Sequence, residues 1–400
     1  MKVEFNAIDV GCGDCLFLLL ENEGATFNIM IDCENYDKAK DYIKNRLHNK
    51  IDLLIVTHID KDHVPGVTDM INKNSDIIIN KILFNCYQRE PIGDKDVLPE
   101  KIRQRLLELK GNIPIIADAI DSKIDSEHAR LLSEAILNYE SRIGRKIWER
   151  SYITCDSPDL SLNEWGNIKF LSPSQEYLDE LDILFKRMFR NLMFDDIDGK
   201  MYDENSSIFE IMMHYVIQEN LLSHPLGTFD SKISSSSKSP YTEENIRNVS
   251  LMEKPEPRIE NKASIAFSWE YQGSPRMFFF GDADALLLEQ QIKAKYPNRP
   301  IALDLIKISH HGSLTNTTKS LLDEIDAKYY VLSGGKGTTP NISTMAKIIV
   351  RPLIPGVDRR VLYYTKATPS IQKLINNKNR LNTFPNFDFT HNEQPIVFTY

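Results

Sequence analysis

The feature that most constrains this chain is a ten-residue stretch, Thr57-His58-Ile59-Asp60-Lys61-Asp62-His63-Val64-Pro65-Gly66, set directly after the mostly apolar run 51–56. Such a run, broken only by Asp52, suits a strand buried in a sheet that helices cover. The strand end then places the stretch at a sheet edge, where a pocket can form. Four potential ligands, His58, Asp60, Asp62 and His63, fall within six positions. His58 and Asp60, two apart, can turn toward one cation, and Asp62 and His63 swing toward a second as the chain enters a helix. Imidazole mixed with carboxylate suits zinc, manganese or iron, and the oxygen-rich set argues against a purely structural zinc site.

Two later clusters follow apolar runs in the same way. Ser309-His310-His311-Gly312-Ser313 is a turn in which one ring faces inward and the other a substrate; alone, the pair reads equally well as ordinary loop histidines. Gly281-Asp282-Ala283-Asp284 follows residues 277–280. An aspartate at a strand end often only caps the next helix, but beside the other two clusters Asp282 becomes a natural bridge between two cations.

The first sixty residues read as strand, turn, two hairpin strands about Glu23-Gly24, a helix over 36–47 and a strand, and short apolar runs resume after 264. Between them, helical patterns run over 98–109, 126–143 and 176–193, and 223–258 is rich in Ser, Pro and charge, as a long mobile loop would be. The division expected is residues 1–86 and 261–400 as two halves of one α/β (α+β) domain, with 87–260 a largely helical insertion. A hydrophobic share of 42% is enough to build its core without disulfides. The formal charge of −9 means that a nucleic-acid partner must be met by a local basic groove or through metal ions. Five scattered cysteines fit a reducing cytosol. No leader pattern and no apolar run of about 18 residues is present, so the expectation is a cytoplasmic protein with no membrane contact.

The ordered motifs Asp9-Val10-Gly11-Cys12-Gly13-Asp14, Ile31-Asp32, Thr57 to Gly66, Gly281-Asp282-Ala283 and Lys307-Ile308-Ser309-His310-His311-Gly312-Ser313 resemble the metallo-β-lactamase superfamily. Within it they are most similar to the metallo-hydrolase domain of the ComEC-type competence proteins, as are Asn261 to Ile265 and Ser333-Gly334-Gly335. The resemblance covers about residues 1–85, 160–175 and 261–370. It implies an αββα sandwich holding two divalent ions, Zn or Mn. His58, Asp60, Asp62, His63 and Asp282 would be ligands, with His310 preferred over His311 to complete the set. Catalytic roles would fall to Asp62 and His311, the latter or Asp60 giving a proton to the leaving group. In the family mechanism, water between the ions loses a proton and attacks a phosphoryl or acyl centre.

Three departures from the family pattern matter. Position 60 is Asp rather than His, no His lies between Gly66 and the run 82–84, and Thr338-Thr339-Pro340 stands where Gly-His-Pro is usual. The expected function is a phosphodiesterase or nuclease. The alternatives are a hydrolase of a small phosphorylated or acyl substrate, or a metal-binding subunit of a multi-protein system such as a defence system. Nucleic acid is one candidate partner, and a protein docked on 87–260 is the other. The basic cluster Lys186-Arg187-Met188-Phe189-Arg190 reads as either a backbone-binding patch or the charged face of a helix. Cys12 and Cys15 read as turn-fillers rather than a redox pair, and Asp14 and Asp32 as supports for turn and ligands.

Overall fold

The computed structural model describes residues 1–85, 117–181, 241–337 and 339–400. Local pattern builds the first sheet. Strands β1 (Lys2–Ala7), β2 (Leu16–Asn22) and β3 (Ala25–Ile31) pair antiparallel, with Glu23 and Gly24 at positive φ in the hairpin turn. Helix α1 (Tyr36–Arg46) crosses over to β5 (Leu53–Val56), which lies parallel to β3. The run 51–56 is two strands rather than one. Asp52 bends the chain because its carboxylate accepts the Asn28 N–H and an Asn80 side-chain N–H, each at 2.9 Å. Lys50–Ile51 (β4) therefore pairs with Ile78–Ile79 (β6) outside the main sheet. Helix α2 (Pro65–Lys73) starts on Pro65, a residue suited to a first turn, and leads to β7 (Ile82–Phe84). The last strand, β16 (Ile396–Thr399), pairs with β1 and completes the order β16-β1-β2-β3-β5-β7.

The second sheet runs β15-β14-β13-β12-β11-β10-β9-β8. Its antiparallel part is β8 (Leu160–Ser161), β9 (Asn167–Ser172), β10 (Ala266–Tyr271) and β11 (Ser274–Phe279). From β11 it continues in parallel through β12 (Ile301–Lys307), β13 (Ile325–Leu332), β14 (Arg360–Tyr364) and β15 (Phe387–His391).

Strand periodicity then sets the layers, since alternate residues face opposite sides. Val3, Phe5 and Leu18 meet Phe267, Phe279 and Tyr363 between the sheets. Phe17, Met30 and Leu54 pack beneath α1, α2 and α3 (Ala117–Ile143) on one outside face. On the other, Phe278, Ile306 and Tyr330 pack beneath Leu288, Leu322, Ile348 and Ile371 of the second sheet's helices. Each such side chain, fully buried, contributes about 1.5–3 kcal/mol. The result is the αββα sandwich that the motifs implied.

Two expectations change. Within the stretch read as a mobile loop, Glu243–Ser250 forms helix α4; Thr242 caps it by accepting the Asn245 N–H at 3.3 Å, and Ile246 is buried. The stretch read as a largely helical insertion is interrupted where the resemblance covers residues 160–175: β8 and β9 join the second sheet there, and α3 supplies the long helix. The expected helix 98–109, the basic cluster at 186–190 and residues 223–240 lie outside the described residues. Of 176–193, residues 175–181 are helical and 182–193 lie outside them. Among the described residues no helix is long and apolar enough to cross a membrane.

Candidate metal centre

The ends of β3, β5, β11, β12 and β13 deliver their following residues to one place. Asp32 ends β3 at φ 56°, a left-handed conformation that Asp tolerates better than most residues. Its Oδ1 accepts the Thr57 N–H at 2.7 Å, and its Oδ2 accepts the Thr57 hydroxyl at 2.7 Å and faces His63 Nδ1 at 2.8 Å. A carboxylate on Nδ1 puts the proton there and turns the Nε2 lone pair away, into the site. His58 Nδ1 lies 3.0 Å from the Thr57 hydroxyl and 3.2 Å from that of Ser264, which also accepts the Asp282 N–H at 2.9 Å.

The tandem histidines both take left-handed backbone, φ 48° at His310 and 51° at His311, which costs on the order of 1–3 kcal/mol each. That backbone sends the two rings to different flanks. His311 Nδ1 donates to the Ser333 carbonyl at 2.8 Å, so its lone pair is on Nε2. His310, a third exposed at its side chain, has Nδ1 between Asn261 (3.0 Å) and Asn316 (2.9 Å).

The far nitrogens converge. His58 Nε2 is 3.6 Å from Asp60 Oδ2 and 3.7 Å from Asp282 Oδ2, and His310 Nε2 is 3.7 Å from the same Asp282 oxygen. His63 Nε2 is 3.6 Å from Asp282 Oδ1 and 3.8 Å from Asp62 Oδ1, and His311 Nε2 is 3.3 Å from Asp62 Oδ2. These spacings are long for hydrogen bonds. They suit atoms that share a cation, since two ligands each about 2.1 Å from one tetrahedral ion stand about 3.4 Å apart. Nε2 of His58, His63 and His311, Asp60 Oδ1 and Asp282 Oδ1 are buried and lack a hydrogen-bond partner among the described residues. One such orphan costs about 1–3 kcal/mol; five together are the mark of groups arranged for a ligand. His58, His63 and Asp282, and likewise Asp62, His63 and His311, can each hold a metal ion.

Charge points the same way. Among the described residues, Asp14, Asp32, Asp60, Asp62 and Asp282 meet one ammonium, that of buried Lys307, which pairs with Asp14 Oδ2 and donates to the Gly281 carbonyl at 3.0 Å. With neutral imidazoles, four negative charges remain, the number that two divalent cations offset. Burial favours neutral histidine, yet the carboxylates prevail. Asp14, Asp62 and Asp282 push His311 up to about 10, and Asp32, Asp282 and Asp62 hold His63 well above its ordinary value. Burial likewise opposes ionisation of Asp282, but His310 and His63 keep its carboxyl well below the carboxylate range. Asp14, Asp32 and His63 Nδ1 form a third cluster. Lys307, the Ser333 hydroxyl and the Thr57 donors already occupy it, so it supports the others.

All the residues singled out in sequence, His58, Asp60, Asp62, His63, Asp282, His310 and His311, come together here. His310 stands on the flank of Asp60 and His311 on that of Asp62, so the structure offers a place for both rather than one. Sequence reasoning missed the supporting roles of Lys307, Ser264, Asn261 and Asn316. Only Lys307 left a local signal, a charge inside an apolar strand. Cys15 is buried beside Cys33 rather than paired with Cys12, and burial first, then Cys33, raises its thiol well above the ordinary value.

No family model matches the chain, and no curated protein matches it. Among solved structures it is similar to the metallo-β-lactamase fold protein YhfI from Bacillus subtilis, at 7% identity and a TM-score of 0.35, over 99% of each chain.

Proposed function

We propose that this protein is a metal-dependent phosphodiesterase whose centre takes two divalent cations, Zn or Mn. The observation that carries the reading is the convergence of five orphaned, buried donor atoms at one place where, among the described residues, four negative charges are in surplus. His58, Asp60 and His310 would hold one ion, His63, Asp62 and His311 the other, and Asp282 would give one oxygen to each. His310 then takes the ligand place left open by the absence of a histidine between Gly66 and β7. When bound, the cations acidify a water and offset charge that develops on the scissile group. The chain does the aiming: Asp32 and Ser333 fix the tautomers of His63 and His311, and Lys307 keeps Asp14 ionised without drawing a cation to it. Four imidazoles with three carboxylates suit either Zn or Mn.

The test is hydrolysis of bis(p-nitrophenyl) phosphate by the full chain in manganese or zinc, beside Asp62→Ala/His63→Ala. Turnover that chelator abolishes, and that the double variant loses by more than about 10²-fold, is expected, since metals supply several kcal/mol of transition-state stabilisation. Cleavage of carboxylic esters alone would move the assignment to acyl hydrolysis. Tight metal binding with no turnover of either would make the chain a metal-binding subunit.

A further inference from the structure

The four imidazoles of the centre are not backed alike. Behind His63 stands the Asp32 carboxylate, 2.8 Å from Nδ1. Behind His311 stand the Ser333 carbonyl, 2.8 Å from Nδ1, and Asp14 Oδ1 at 3.3 Å. The other two rings meet uncharged groups. His58 Nδ1 faces the Thr57 and Ser264 hydroxyls, and His310 Nδ1 faces the amides of Asn261 at 3.0 Å and Asn316 at 2.9 Å. Asn316 Nδ2 donates to the Asp282 carbonyl at 2.7 Å, which leaves its Oδ1 to accept from His310 Nδ1. The His310 tautomer is thereby set, with the Nε2 lone pair on the side of Asp282, but without a carboxylate behind the ring.

Access differs in the same sense. The His310 side chain is 32% exposed, whereas those of His58, His63 and His311 are buried at 3% or less. Donor atoms of Asp62, His63 and His311 lie within 4.8 Å of one another, and among the described residues His310 joins no group so close. A carboxylate behind an imidazole raises its basicity toward a cation, and loss of such a partner costs about 10–100-fold in affinity. An exposed side chain must also give up more rotamer freedom when it binds.

We propose that the two places hold their cations unequally: Asp62, His63 and His311 retain theirs, while His58, Asp60 and His310 exchange theirs with solution, so that the free divalent-cation level regulates the centre. This rests on the two-cation phosphodiesterase reading, and metal binding measured apart from turnover separates the two. The experiment titrates the metal-free full chain with manganese and reads the free ion by its electron paramagnetic resonance signal. The unaltered protein should bind in two steps about tenfold or more apart. His310→Ala should remove the weaker step and leave the tighter one unchanged. Asn261→Asp, which sets a carboxylate against His310 Nδ1 as Asp32 stands against His63, should strengthen the weaker step about tenfold. In the unaltered protein and in Asn261→Asp, turnover of bis(p-nitrophenyl) phosphate should rise with the weaker step. Two ions held with equal affinity, a single ion, or a weaker step that Asn261→Asp leaves unmoved, overturns the proposal, as does a tighter step lost in His310→Ala. Two unequal steps that answer to these variants, with no turnover, would uphold the inequality and refute the phosphodiesterase. Turnover with two equal steps would leave the phosphodiesterase standing and refute the inequality.

Discussion

Each buried histidine of the centre is aimed by what its other nitrogen touches, and for His63 that partner is Asp32, wholly buried. Substituting Asp32→Asn keeps a residue that accepts left-handed backbone while removing the charge behind the imidazole. Loss of such an outer partner typically costs about 10–100-fold in metal affinity, and competition against a chromophoric chelator should read that drop while circular dichroism stays unchanged. Equal affinity would mean that Asp32 serves the turn alone. Asp282 is the other decisive residue, because its two oxygens face two different histidines at 3.6 and 3.7 Å. Asp282→Ala should take the bound metal from two ions to at most one by mass spectrometry of the acid-digested protein. Most residues of the candidate centre were legible in the sequence because they crowd the first residues after apolar strands. Asn316 was not, since a lone asparagine acquires a role only from what lies across the fold.

At the scale of elements, the centre depends on loops that approach backbone to backbone. A Cβ on Gly13 would lie 1.7 Å from the Asp62 carbonyl oxygen, which also accepts the Asp14 N–H at 3.1 Å. A Cβ on Gly66, at the start of α2, would lie 2.6 Å from Cys33 Sγ and 2.7 Å from the Asn35 nitrogen. Gly13→Ala must therefore push the loop that carries Asp60, Asp62 and His63 off its seat. Overpacking of this kind costs typically about 1–3 kcal/mol, so the urea midpoint should fall and metal content should fall with it. A variant with normal metal content would show that the loop yields without moving its ligands. Strand and helix positions were largely readable from periodicity, and the exception at Asp52 is instructive. Its carboxylate takes donors from Asn28 and Asn80, neither adjacent in sequence, and splits an apolar run that local pattern reads as one strand.

Across the whole molecule, a buried ionic group outside the candidate centre ties the second sheet together. Asp326 of β13 accepts from Arg360 Nε at 2.8 Å and from the Tyr330 hydroxyl at 2.8 Å, and Arg351 Nη2 donates to that hydroxyl at 2.8 Å. Removing one partner of a buried pair costs about 3–5 kcal/mol, so Asp326→Ala should show that loss in urea unfolding at neutral pH. Burial works against the charged form of Asp326, but Arg360 and Arg351 outweigh it and lower the pKa below its ordinary value. Its contribution is therefore complete above the unfolded carboxylate value of about 3.9 and fades as pH falls through the lower folded value. The stability gap between the unaltered protein and Asp326→Asn should stay constant from neutral pH to about 5 and close below about 4. A gap that persisted at low pH would refute the electrostatic account.

The sequence by itself determined the chemistry and the layers. His and Asp at the ends of apolar strands supply the donor types that a cation would take, and periods of two and of three to four specify sheets and covering helices. Only the tertiary structure decided how those pieces share one centre. Ser264 reaches His58 across 206 residues and Ser333 reaches Asp14 across 319, and β16 closes the first sheet against β1 from the far end of the chain. Such contacts depend on where the two sheets stack, and stacking is a property of the packed core as a whole. It was that packing, through the left-handed turn at His310 and His311, that sent one ring toward Asp282 and the other toward Asp62.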